Sequence, residues 1–92
     1  MKILRDQIIF LKDHVLYTVF EDGGIIFNLE SRASLIVNIT GARIMDLLDG
    51  KRKFNELVRH LSEKYEEQEN IIEKDVTDFL TNLMERGLVH VK

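Results

Sequence analysis

The residue types able to do chemistry are few and scattered along this chain. Histidines stand at positions 14, 60 and 90, with no second histidine or carboxylate at the spacing that sets two ligands on one helix face, so no zinc-type site is expected. Cysteine is absent, which removes thiolate catalysis, thiolate metal sites and disulfides together. Ser31, Ser34 and Ser62 have no neighbouring base to activate them, and no Gly-x-Ser-x-Gly elbow occurs. The acidic run Glu63, Glu66, Glu67, Glu69 and Glu73 is interrupted by Lys64 and lacks the regular Asp/Asn ligand spacing around a central glycine. It reads as a solvated loop between helices. Glu21-Asp22-Gly23-Gly24 opens no strand-to-helix phosphate cradle and reads as a hairpin turn. The expectation is a protein with no catalytic group, no cofactor and no metal.

A chain without chemistry of its own must act through its surfaces, and those depend on the elements that carry them. Ninety-two residues make one small domain, expected over 1–92, with 45% apolar residues for a core and 32% charged residues for the outside. The apolar cluster Ile8 to Leu11 is too short for a signal peptide and no run approaches a membrane span, so the chain is expected in the cytoplasm, away from membranes. The net charge of −3 disfavours nucleic acid, whose affinity comes from cations that neutralise phosphates.

Proline is absent, and glycine and asparagine punctuate the chain. Residues 14–20, 25–29 and 34–38 are rich in β-branched and aromatic types and separated by the polar turns 21–24 and 30–33, which predicts a three-stranded antiparallel meander. The period then changes. Thr40 is the expected N-cap of a helix carrying Ile44, Leu47 and Leu48, stopped by Asp49-Gly50. Phe54, Leu57, Val58, Leu61 and Tyr65 form the apolar stripe of a second helix. Asn70 and Glu73 resemble a capping box for a third, whose buried face is Ile72, Val76, Phe79, Leu80 and Leu83, and Gly87 ends it before an extended tail. Strands followed by helices make an α+β domain, and three helices beside a small sheet describe a winged helix-turn-helix.

That outline invites a DNA-binding reading, with Lys51-Arg52-Lys53 as its basic cluster. The third helix argues against it. Glu73, Asp75, Asp78 and Glu85 outnumber Lys74 and Arg86 there, and such a helix repels phosphate in a groove.

The stretch from Leu35 to Leu57, followed by Asp75 to Leu88, resembles the PqqD family of coenzyme PQQ (pyrroloquinoline quinone) biosynthesis and its relatives. The matching residues are Val37-Asn38, Thr40-Gly41-Ala42, Asp49-Gly50, Phe54 to Leu57, Asp75-Val76, Phe79-Leu80, Leu83 and Gly87-Leu88. Lys53 stands where the family often has a threonine cap, Val37 where leucine is usual, and residues 1–14 fall outside the pattern. The resemblance implies a non-catalytic, winged-helix-like peptide chaperone. Such a module recognises the leader of a ribosomally made precursor peptide and presents it to a modifying enzyme, often of the radical S-adenosylmethionine type. The leader would add as a strand to the sheet edge at Ser34, Leu35, Ile36, Val37 and Asn38. It would lie against Asp75, Val76, Asp78, Phe79, Asn82 and Leu83 of the third helix. Leu35 and Val37 can face the core, and Ile36 then points elsewhere. The rival readings are DNA binding and a structural homodimer built through the same free edge.

Overall fold

The computed structural model describes residues 3–92. In chain order the elements are β1 (Ile9–Leu11), β2 (Val15–Phe20), β3 (Gly23–Asn28), β4 (Ser34–Asn38), α1 (Ile39–Leu47), α2 (Phe54–Tyr65), α3 (Glu69–Glu85) and β5 (Val89–Val91). The expected meander is present, with β3 central between β2 and β4 and every pairing antiparallel. The three helices follow it, as the change of period requires.

Ile26 on β3 is buried and pairs with Tyr17 on one side and Leu35 on the other, so these define the face turned to the helices. Ile25 and Phe27 take the opposite face, as alternation dictates. The register pairs Phe20 with Gly23, so the hairpin turns on Glu21-Asp22 alone and both glycines belong to the strand. Their role is close approach. A Cβ on Gly24 would stand 2.8 Å from the Thr18 carbonyl oxygen and 3.4 Å from the Ala42 Cβ, which lets the fully buried Ala42 carry α1 down onto the sheet.

The structure moves two helix starts. α1 begins one residue after β4 with no loop, because Asn38 is both the last strand residue and the N-cap; its Oδ1 accepts the Gly41 N–H at 2.8 Å. Thr40 is therefore inside the helix, and asparagine wins because its short amide reaches the third N–H from extended backbone. α3 starts at Glu69 with Gln68 at the cap position, ahead of the expected Asn70. The Glu73 carboxylate lies 3.8 Å from Arg5 Nε across the fold. The acidic stretch expected as loop is mostly helix, since only residues 66–68 separate α2 from α3. Tyr65 closes the α2 stripe but stays exposed, beyond the core.

Gly87, with φ of +72°, closes α3. The Leu88 N–H returns to the Leu83 carbonyl and the Gly87 N–H to the Met84 carbonyl, the paired bonds of a left-handed helix stop. Leu83 and Leu88 are both buried beside that turn. The reversed chain then pairs β5 with β1 in a two-stranded ribbon, Ile9 opposite Val91 and Leu11 opposite Val89. The same amino-terminal segment reaches α2. Phe54 N–H donates to the Gln7 carbonyl at 2.8 Å and Asn55 N–H to the Arg5 carbonyl at 3.0 Å. Lys53 supplies no side-chain cap, and main-chain carbonyls of residues 5 and 7 satisfy helix donors that a capping threonine would otherwise serve.

Candidate functional site

Two hydrogen bonds determine which main-chain groups of the sheet are free. Leu29 N–H donates to His14 O at 2.8 Å, and Asn28 N–H to Ala33 O at 2.9 Å. Antiparallel ladders alternate, so odd residues of β3 bond β2 and even residues bond β4. On β4, Leu35 and Val37 therefore pair with β3. Ser34 and Ile36 direct their N–H and C=O groups away from the sheet, on a strand with no further neighbour among the described residues.

α3 runs beside this open edge, antiparallel to β4. Two cavities show the arrangement. One, of about 210 Å³, is lined at the carboxyl end of β4 by Asn38, Thr40, Gly41, Ile44, Asp75 and Phe79. The other, also about 210 Å³, lies at the amino end among Ile26, Ala33, Ser34, Leu35, Arg86 and Leu88. In the wall of the first cavity the Phe79 ring sits on Gly41: a Cβ there would stand 2.9 Å from Phe79 Cε1 and 3.1 Å from Val37 Cβ. Glycine at this position lets the aromatic ring form the groove floor.

The expected residues divide. Ser34, Leu35, Ile36, Val37 and Asn38 form the edge itself, and Asp75 and Phe79 face it from α3. Asn82 lies on the same helix stripe, its Oδ1 accepting from Arg86 Nε at 2.8 Å. Three residues are corrected. Val76 and Leu83 are buried at 1% and 0% exposure, so they support the groove from beneath and offer it no surface. Asp78 is turned toward the amino-terminal segment, where it pairs with Lys74 at 3.1 Å and lines a cavity with Ile3 and Leu4. Its position one residue before Phe79 places it about 100° around the helix from the residue facing the strand.

Arg86, Thr40 and Gly41 line the two cavities and were not among the expected residues, nor was Ile71, one turn before Asp75 on α3. The signal was available for two of them: Ile71, Asp75, Phe79, Asn82 and Arg86 recur at intervals of three and four, a second stripe beside the core stripe. Ile71 is exposed and apolar on it. α3 does not cover Ile36, which is 80% exposed on the outer face of the sheet.

His14 lies 3.7 Å from Glu30, and the His90 ring packs against Phe10 with centroids 5.3 Å apart. Among the described residues no three His, Asp or Glu side chains gather as a metal site, and no helix is long and apolar enough to cross a membrane. Asp49 holds its carboxyl below the usual range because it accepts the Lys51 and Arg52 N–H groups, a turn that ends α1 rather than a site.

Residues 23–89 match the family model of Coenzyme PQQ synthesis protein D (PqqD), which covers both groove walls and the helices between them. The chain belongs to the PqqD family. A curated relative, the PqqA binding protein of Gluconobacter oxydans (strain 621H), is 32% identical over 57 residues, covering 62% of this chain and 59% of that protein. The chain thus matches less than two thirds of that relative's length.

Solved structures share the PqqD fold. TbiB1 in complex with the TbiA(beta) leader peptide superposes with a TM-score of 0.80 at 23% identity, covering 88% of this chain and 94% of that one. A lasso peptide synthetase B1 complexed with its leader peptide gives 0.78 at 21% identity, covering 89% and 96%. The PqqD truncation of Methylobacterium extorquens PqqCD, a stand-alone recognition element for ribosomally synthesised and post-translationally modified peptides, gives 0.77 at 18% identity, covering 90% and 88%.

Proposed function

We propose that this PqqD-family chain is a non-catalytic recognition module for a precursor peptide, whose leader it holds as an added strand on β4 for a modifying enzyme. The observation that carries the reading is the open edge: Ser34 and Ile36 direct donors and acceptors outward beside a groove floored by Phe79. Strand addition uses such an edge for affinity and neighbouring pockets for register. The related proteins support it, since one is a binding protein for PqqA and two were solved with leader peptides.

On this reading Ser34, Ile36 and Asn38 contact the peptide main chain, and Leu35, Val37, Asp75, Phe79, Asn82 and Arg86 meet its side chains. The receiving enzyme, by family likeness, is of the radical S-adenosylmethionine type, and residues 1–92 act as one domain in the cytoplasm.

The test is a titration of isotope-labelled protein with the leader of a short precursor encoded beside its gene, followed by NMR. Shifts concentrated on 34–38 and 71–86 are expected. Shifts confined to 51–60, around the basic turn, would refute strand addition at β4.

A further inference from the structure

The groove floor is apolar, but its two ends carry opposite charge. Asp75 lines the cavity at the Asn38 end and Arg86 the cavity at the Ser34 end. Eleven residues of helix separate them, roughly 16 Å along the axis. The five residues of β4 extend over a similar length, roughly 14 Å. The two charges therefore stand at the two ends of the exposed strand. Neither takes part in an ion pair among the described residues, in contrast to Asp78, which Lys74 occupies. Arg86 is also oriented: Asn82 holds its Nε at 2.8 Å, leaving the two terminal nitrogens of the guanidinium for a carboxylate.

We infer that Asp75 and Arg86 polarise the groove and set the direction and register of the bound strand. The inference rests on the peptide-binding reading above. In an added strand alternate side chains face α3, so residues i, i+2 and i+4 of the peptide span roughly 13 Å and reach both ends. The end residues are then a cation opposite Asp75 and a carboxylate opposite Arg86. The middle residue is apolar, over Phe79 and Leu35. Antiparallel pairing is the stronger arrangement, and it places the amino end of the peptide at Asn38. The segment recognised therefore reads, from its amino end, cation, any residue, apolar residue, any residue, carboxylate. Direction matters because a reversed segment brings like charges together at both ends.

Selection of phage-displayed random peptides on the immobilised protein tests this, with the double variant Asp75→Lys, Arg86→Glu selected in parallel. Both positions are exposed, and circular dichroism checks that the variant keeps its fold. Peptides from the parent should be enriched in the cation–apolar–carboxylate order, and those from the variant in the inverse order. Synthetic peptides of the two orders should differ in affinity by about tenfold on the parent, with the preference inverted on the variant and reduced by salt. Selected peptides with no charge order, or with the same order on both proteins, overturn the polarity while leaving peptide binding intact. Failure of the parent to select any peptide overturns the peptide-binding reading and this inference with it, and failure of the folded variant alone overturns the polarity.

Discussion

The three-stranded sheet has two edges, and they are not equivalent. β4 presents Ser34 and Ile36 to a groove whose far wall is α3, with a cavity at each end of the strand. β2 presents the main chain of Tyr17 and Val19 by the same alternation, but it lines neither of those cavities. Beside it, burial and the nearby Asp46 carboxylate of α1 hold the Tyr17 hydroxyl in its protonated form. A free row of donors and acceptors is therefore not enough to make a peptide site. On the proposed reading the site needs a second wall that offers pockets, and α3 gives β4 such a wall.

Proline substitution separates the two edges most sharply. Ile36→Pro deletes an outward N–H that β3 does not use, so the fold should survive while peptide binding is lost. Val19→Pro makes the equivalent deletion on β2 and should leave peptide affinity at the parent value. Calorimetric titration with the leader peptide, beside thermal melts, reads both. Equal losses from the two variants would break the distinction.

Leu83→Ala acts beneath the β4 groove and Leu61→Ala on α2, farther from either edge. Both side chains are buried, and each truncation should cost roughly 2–5 kcal/mol, measured as a shift in the urea midpoint. A parent-like midpoint for either would show that its stripe is not core. Gly41→Ala is the smaller probe of the groove wall. The new methyl meets the Phe79 ring and Val37, and the displacement should cost about 1–3 kcal/mol and weaken peptide binding, with no matching effect from Thr18→Ala on β2.

The smallest effect concerns the β2 side. Burial first, and then the Asp46 carboxylate, push the Tyr17 hydroxyl above its ordinary pKa. An acid whose folded pKa is raised favours the protonated folded state. Its contribution is complete below the ordinary tyrosine range and is lost as pH rises through the folded pKa. The parent should therefore lose melting temperature in strong alkali faster than Tyr17→Phe, with peptide affinity the same in both at neutral pH.

Much of the fold could be read from local pattern. The strand-like runs 14–20, 25–29 and 34–38 and the helical stripes of Phe54–Leu61 and Ile72–Leu83 each report burial through a period the backbone itself imposes, although β3 begins two residues earlier, at Gly23. The left-handed stop at Gly87 and the Asp49-Gly50 break were equally visible, because they depend on a few adjacent residues. The strand at 34–38 was visible in the same pattern, whereas its use as an open edge was an implication of the family resemblance.

What sequence alone left open was decided by contacts between distant residues. β1 pairs with β5 across almost the whole chain, and three-residue strands are too short to show a period. The segment at Arg5 and Gln7 caps α2 through main-chain carbonyls, which carry no side-chain signature, so Lys53 looked like a missing cap. Asp75 and Asp78 are indistinguishable as exposed acids on one helix. Only the docking of α3 gives Asp75 to the groove and turns Asp78 toward Lys74 and the amino-terminal segment. Periodicity determines which side of a helix is buried; where its remaining sides face depends on what packs around it, and that is settled by the tertiary structure.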